Sequence, residues 1–357
     1  MTRPSTYAHA RYLEAKRSVD DRALHRPTLD RLRAALADRS TPLRVVEVGC
    51  GTGTMLRRLL EWGVLPDEVV YRGYDLREGT LDRAVDELGR WADDAGYAVD
   101  LDDETGDDPE TTRGVRLDGP GGSSVTATFA AADAVEVARR TDAEYDLLVG
   151  CAFLDLVDLD RALDPLLGFV PGGLAYFPIT FDGETFLAPA LGDGERERER
   201  EGEEVDEATE RAVLDVYHAT MDAPDRPGGS RTGRELFAAL PAAGGEVVAA
   251  GGSDWLVTPP YPADEAYFLH HLVDGVEGAV REALAKHDRE RVGDERVDDE
   301  RVGDERVDGD ADRAGRRLSP ERVSAWADAR HRAVADGRLT FGAHNLDVLA
   351  RVESNDR

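Results

Sequence analysis

Apolar residues recur at helical spacing through residues 7–36, at Tyr12, Leu13, Val19, Leu24, Leu29, Leu32 and Leu36. This predicts a helical segment broken near Pro27. The rhythm then changes. Leu43-Arg-Val-Val-Glu-Val48 is a short apolar run that stops at Gly49-Cys-Gly-Thr-Gly53. Such a run predicts a buried strand opening into a tight turn. A helix is expected over 55–62, with Leu56, Leu59 and Leu60 on one face. A second strand, 69–74, ends at Asp75, and a helix over 80–95 turns Leu81, Ala84, Val85 and Leu88 inward.

Residues 100–124 interrupt the alternation; they are acidic, glycine-rich and irregular, with room for a hairpin around 119–122. Strands are expected again at 125–129, 145–149 and 172–179, with a helix over 160–167. Strand–helix alternation of this kind predicts a doubly wound α/β sheet, mostly parallel. The loops at the carboxyl ends of its strands would form the site.

The second half is less regular. Helices are expected at 233–240, 267–285 and 320–336, a strand over 246–257 broken at Gly251-Gly252, and a final strand over 338–352. Residues 193–210 are a charge run, read as a solvated helix or an unfolded segment. Residues 290–308 hold a ten-residue repeat with one valine in each five-residue unit, too few for a repeat fold with its own core. It reads as a low-complexity expansion inside a loop.

Charge narrows the function classes. The 357 residues carry 74 Asp and Glu against 44 Lys and Arg, a formal net charge of −30. Such a chain repels phosphate backbones and anionic lipid, which argues against nucleic acid and membrane surfaces as partners. No run of about 18 apolar residues is long enough to span a bilayer. Residues 1–10 have no apolar signal core, so a cytoplasmic location is expected. Two cysteines, Cys50 and Cys151, make neither a disulfide framework nor a four-cysteine zinc site. Only Lys16 and Lys286 are lysines. Acidic excess with so little lysine points to a halophilic, haloarchaeal cytosol, where salt screens carboxylate repulsion. That describes where the protein works, not what it does.

The chemistry is concentrated in Val45-Val-Glu-Val-Gly-Cys-Gly-Thr-Gly53. Glycines let the backbone turn with positive φ and let a ligand approach closely. A phosphate-cradling NTPase loop needs Gly-Lys-Ser/Thr, and here Gly53-Thr54-Met55 has no lysine. A dinucleotide fingerprint needs G-x-G-x-x-G, and here the third glycine comes one residue early. The pattern Glu47-x-Gly49-x-Gly51-x-Gly53 resembles the first motif of class I S-adenosylmethionine (SAM)-dependent methyltransferases. Further elements follow in order. Asp75, in Tyr71-Arg-Gly-Tyr-Asp-Leu76, stands where an acid accepts bonds from ribose hydroxyls. Asp133, in Ala131-Ala-Asp-Ala134, resembles the residue that binds the adenine amino group; its alternative is a helix N-cap. The stretch from Tyr145 to Asp155 resembles the fourth motif, whose strand end faces the methyl group, and Val170-Pro-Gly-Gly-Leu174 resembles the turn before the fifth strand.

The resemblance implies a seven-stranded, mostly parallel Rossmann-like sheet. It implies a helical lid over residues 1–40, a cofactor-binding core over 41–180, and the rest of the sheet with substrate-side helices and acidic insertions (193–210, 288–312) over 181–357. It implies SAM as cofactor, held by Glu47, Gly49, Cys50, Gly51, Gly53, Asp75, Leu76, Asp133, Ala134 and Cys151. Methyl transfer from the activated sulfonium is an in-line displacement, so the protein mainly supplies proximity and alignment, worth roughly 7–11 kcal/mol. The Asn/Asp-Pro-Pro-Tyr signature for base exocyclic nitrogens is absent; Gly150-Cys-Ala-Phe153 stands near its place. A small-molecule acceptor is therefore expected, and no catalytic residue is assigned. Two other readings are a non-catalytic SAM-binding module and an NAD-dependent oxidoreductase.

Other residues carry weaker signals. Cys50 and Cys151 lack a histidine close in sequence and read as small buried fillers. His270-His271 point to different helix faces, which disfavours a joint metal site. His344, Trp255 and Phe268 are candidate pocket residues for which packing is the plainer role. Lys16, Arg17 and Arg22 on the first helical segment are placed to meet a cofactor carboxylate or an acidic substrate.

Overall fold

The computed structural model describes residues 2–102, 113–192, 205–298 and 318–354. The chain forms two compact units, Ala8–Glu184 with Pro227–Trp255 and Ala343–Arg357, and Met1–Tyr7 with Thr185–Arg226 and Leu256–Gly342.

The larger unit opens with α1 (His9–Ala15), α2 (Arg17–Ala23) and α3 (Arg26–Leu36). Pro27 lies in the first turn of α3, where a missing N–H leaves no bond unmade. Then come β1 (Leu43–Val48), α4 (Thr54–Glu61), β2 (Glu68–Asp75), α5 (Glu78–Asp94), β3 (Ala98–Asp102), β4 (Arg113–Asp118) and β5 (Ser124–Ala131). Next are α6 (Ala134–Ala138), β6 (Leu147–Val149), α7 (Leu159–Leu167) and β7 (Leu174–Ala188). After α8 (Glu207–Met221), the chain forms α9 (Thr232–Ala242), β8 (Gly245–Gly252) and β9 (Trp255–Val257). It ends with α10 (Glu265–Asp298), α11 (Pro320–Ala335) and β10 (Thr340–Val352).

Among the described residues the sheet is mixed and has ten strands, in the order β3-β4-β5-β2-β1-β6-β7-β10-β8 with β9 on β10. This corrects the expected seven-stranded, mostly parallel sheet. β1 pairs parallel with β2 and β6, β2 with β5, and β6 with β7. Beyond this parallel centre, β4 and β3 extend the edge antiparallel from β5, and β8 lies antiparallel to β10. The order reverses at β1, which has β2 on one side and β6 on the other. Open α/β sheets bind ligands at such a switch point, outside the carboxyl ends of the strands.

Side chains alternate along β1 between the two faces. Val45 joins the apolar layer that includes Leu29, Leu56 and Leu81; Val46 and Val48 join the layer that includes Leu163, Leu166 and Leu236. Helices thus cover both faces, as a doubly wound sheet requires.

Several local readings change. The stretch read as irregular after residue 100 carries β3 at its start and the expected turn between β4 and β5, closed by Gly119 N–H to the Ser123 carbonyl at 2.7 Å. β8 runs unbroken through Gly251-Gly252; a Cβ on Gly251 would sit 2.2 Å from the His25 ring, so this glycine makes room rather than a break. α10 continues through Asp298, so the first part of the repeat is helix and not loop. The rest of the repeat, and most of the acidic stretches at 100–110 and 193–210, lie outside the described residues.

The smaller unit packs α8, α10 and α11 around Leu191, Val213, Val276, Val280, Val323 and Trp326. Glu210, at the end of the charge run, is buried rather than solvated; it accepts from Trp326 Nε1 (3.1 Å) and Arg330 Nε (2.6 Å). Among the described residues, no helix is long and apolar enough to cross a membrane.

Candidate functional site

The turn after β1 has positive φ at Gly49 (65°), Gly51 (53°) and Gly53 (70°), values that side chains with a Cβ rarely adopt. Its floor is tied to β2 by Cys50 N–H to the Tyr74 carbonyl, 2.9 Å. Asp75, at the end of β2, accepts from Gly51 N–H (3.0 Å) through one oxygen and from Arg77 N–H (2.9 Å) through the other. A carboxylate has about four lone-pair sites, so acceptor capacity remains after these two bonds.

The turn floors a cleft of about 160 Å³, lined by Glu47, Gly49, Cys50, Gly51 and Asp75 together with Cys151, Ala152, Phe153 and Leu156 from the loop after β6. α1 contributes His9 and Leu13, the junction between α1 and α2 contributes Lys16, α2 contributes Asp20, and α4 contributes Arg58. A Cβ on Gly51 would meet Leu13 Cδ1 at 3.3 Å, and one on Gly49 would sit 2.6 Å from Phe153 Cδ2. The two glycines therefore admit the helix on one side and the phenyl ring on the other.

Glu47 follows Val45 by two residues and points to the same sheet face, where Tyr71 O–H donates to it at 2.8 Å. Burial pushes its carboxyl up to about 8, against the Tyr71 bond and the positive charge of Arg58. It is therefore protonated at neutral pH. Burial likewise holds the Cys50 thiol well above its ordinary value and pushes Cys151 up to about 12, so neither is a thiolate.

The charged wall is built on Asp20. It accepts from Trp255 Nε1 at 3.0 Å and lies 3.4 Å from Arg58 Nη2 and 3.6 Å from Lys16 Nζ. Arg58 also donates to Asp21 (2.5 Å) and to the Arg17 carbonyl (3.1 Å). Burial works against the charges of Lys16 and Arg58, but Asp20 and its neighbours outweigh it, and both pKa values rise. Both cations stay charged.

The opposite wall is strained. Ala152 has φ 49° and donates its N–H to the Pro178 carbonyl at 2.9 Å. The next residue on β7, Ile179, has φ 55°, an outlier for a β-branched side chain. Its N–H is held by Asp347 at 2.9 Å. Asp347, on β10, also accepts from Tyr176 O–H (2.8 Å) and His25 N–H (2.9 Å). Strain of this kind persists only where surrounding bonds over-determine it. One buried carboxylate thus ties β7 to the start of α3, and the Pro178 carbonyl of β7 holds the loop after β6 through Ala152. Asp155, in the same loop, has a buried Oδ1 with no hydrogen-bond partner. Such an atom typically costs about 1–3 kcal/mol.

Of the residues named from sequence, Glu47, Gly49, Cys50, Gly51, Asp75 and Cys151 line this cleft, and Gly53 lines a small recess beside it with Thr52, Thr54 and Arg57. Asp133 is the N-cap of α6, accepting from Val135 N–H (2.9 Å) and Glu136 N–H (3.2 Å); Ala134 is buried behind it. Leu76 is 74% exposed and, with Asp133 and Ala134, is not among the cleft-lining residues. Trp255 reaches the charged wall, whereas Phe268 packs edge-on against Phe341. His344 pairs with Asp254 at 2.7 Å, and His270 bonds His331. Among the described residues, no group of three or more potential ligands is arranged to hold a metal. Arg58, Asp20, Asp155 and Asp347 were missed. Arg58 had a signal, since it shares helical spacing with Met55 and Leu59 on the apolar face of α4.

No protein-family model and no curated protein matches the chain. Solved structures similar to it include phosphoethanolamine N-methyltransferase 2 of Haemonchus contortus, in complex with phosphomonomethylethanolamine and S-adenosylhomocysteine, at 12% identity and TM-score 0.35. That match covers 92% of this chain and 53% of the other, so the chain spans about half the length of that enzyme. A SAM-dependent methyltransferase from Thiobacillus denitrificans, in complex with S-adenosylhomocysteine, matches at 15% identity and TM-score 0.39, covering 93% of each chain. A putative methyltransferase from Bacillus halodurans matches at 10% identity and TM-score 0.41, covering 92% of this chain and 100% of the other.

Proposed function

We propose that the protein is a SAM-dependent methyltransferase acting on a small molecule. The observation that carries this reading is one cleft at the sheet's switch point with complementary groups along it. Asp75 in its lining keeps acceptor capacity for ribose hydroxyls. The glycine turn leaves the middle open to close backbone approach. In the same lining Lys16 suits the carboxylate of a methionine tail, and Asp20 and Glu47 suit its ammonium and the sulfonium charge.

In this reading α1 and α2 act as the lid, with Leu13 over the turn. Gly53 keeps α4 close behind the turn, and Leu76 shelters the adenine at the rim. Asp133 caps α6 with one oxygen and reaches the adenine amine with the other, while Ala134 keeps that helix start compact. Cys50 and Cys151 fill space as neutral thiols. SAM supplies an activated methyl group; the chain binds it, aligns it and excludes water.

Calorimetric titration with SAM in high salt tests the reading. Binding is expected, with NAD giving no heat and Asp75→Ala weakening SAM at least tenfold. Absence of SAM binding, or tight NAD binding, would overturn it.

A further inference from the structure

The cleft lining holds three carboxyls, Asp20, Glu47 and Asp75. Asp75 bonds the backbone of its own turn, and Asp20 is shared by Arg58, Lys16 and Trp255. Glu47 is different. It is 2% exposed, and Tyr71 O–H donates to its Oε2 at 2.8 Å. Its Oε1 has no donor among the described residues and is not sealed off from the cleft that Glu47 lines.

The charges around Glu47 supply no counter-ion. Arg58, from α4, bonds Asp21 and the Arg17 carbonyl, and Lys16 faces Asp20. Asp75, at the end of β2, is a like charge, and Cys50 and Cys151 are neutral thiols. A buried carboxyl with a neutral donor and no paired cation keeps its proton, because burial penalises the charged form. A positive charge brought to Oε1 reverses that balance, since an opposite charge within about 4–6 Å favours the ionised form.

We propose that Glu47 recognises the positive charge of the cofactor by giving up its proton, so that binding releases a proton to solvent. This rests on the cofactor reading above. The step balances: a neutral carboxyl and a cationic ligand become a carboxylate–cation pair and a solvated proton. A neutral ligand gains nothing from this exchange, so Glu47 makes the cleft selective for cationic ligands. Burial raises its carboxyl to about 8, so at pH 7 most unliganded molecules carry the proton. Affinity for a cation should therefore rise with pH, by at most about tenfold per unit, and level off above about 8. SAM has two positive groups, the sulfonium and the ammonium, and S-adenosylhomocysteine keeps only the ammonium.

Calorimetric titrations of the full chain, in two buffers of different ionisation enthalpy at one pH, count the protons. At pH 7 SAM is expected to release about one proton from wild type and none from Glu47→Gln. Wild-type affinity for SAM should rise at least fivefold from pH 6 to pH 7, and less than twofold in the variant. The wild-type pH series needs no substitution, so it decides the matter even if Glu47→Gln does not fold. Release by SAM alone puts the sulfonium at Glu47; equal release by S-adenosylhomocysteine puts the ammonium there. SAM binding that is flat with pH in wild type, or proton release kept in folded Glu47→Gln, overturns the proposal and leaves the cofactor reading standing. If wild type binds neither ligand, the cofactor reading itself falls, and this proposal with it.

Discussion

The two walls of the cleft are made differently. The Gly49–Gly53 side is built from backbone, with positive φ at three glycines and Asp75 bonding the turn's own N–H. The Cys151–Leu156 side carries local costs: positive φ at Ala152 and at Ile179 of the β7 strand behind it, and an orphaned carboxylate oxygen on Asp155. The first wall needs only the end of the neighbouring strand β2. The second needs a distant support, which Asp347 provides. Locally built walls set what can bind, and strained walls have to be held in place by the rest of the fold.

The sharpest way to break the comparison is Gly51→Val. A branched side chain at φ 53° facing Leu13 should remove SAM binding, by at least ~100-fold in calorimetry, because the turn itself is the binding surface. Retained affinity would mean that the backbone wall is more adaptable than its geometry implies.

Asp347→Asn tests the other wall. The amide cannot accept on both sides, so one of the Ile179 and His25 donors loses its partner. Loss of about 1–3 kcal/mol of stability in denaturant melts is expected, with SAM affinity falling as well. Lost stability with unchanged affinity would show that this carboxylate supports the fold and not the wall.

Glu47 sharpens the contrast through pH. Its carboxyl is raised from 4.5 to about 8, so the folded protein holds more protons than the unfolded chain in that interval. Its contribution to stability is therefore full below pH 4.5 and is lost as pH rises through 8. Glu47→Gln should flatten this part of the stability–pH curve. An unchanged slope would place the titrating group elsewhere.

The smallest effect separates two roles of one residue. Asp133→Ser keeps an N-cap and should leave stability unchanged while weakening SAM a few-fold. Asp133→Ala should also cost about 1 kcal/mol of stability. Identical SAM affinity in both variants and wild type would leave capping as the only role of Asp133.

The difference between the walls also explains what could be read beforehand. The glycine turn, Asp75 and the central strands follow from adjacent residues, since an apolar run and a turn signal each fit within ten positions. The support from Asp347 could not be seen, because it joins residues 25, 179 and 347 and each is unremarkable in its own neighbourhood. β3 was hidden by its alternating acids, and α8 by a face whose buried members include Thr209 and Glu210. Those polar groups are satisfied by Asp206 at the helix start and by Trp326 and Arg330 from α11, partners that no local pattern announces.

Lys16 stands in the cleft wall with its ammonium 5.5 Å from the Trp255 ring, and the only other lysine, Lys286, is exposed and pairs with Asp225 at 2.8 Å. The chain therefore carries its own spectroscopic handle. Labelling lysine with 13C at the ε position gives two signals from 357 residues, one from the surface and one from the cleft. The second lies under the ring current of an indole and beside the groups any occupant must meet. Its shift reads occupancy directly, in the intact protein, with no reporter added and no residue changed.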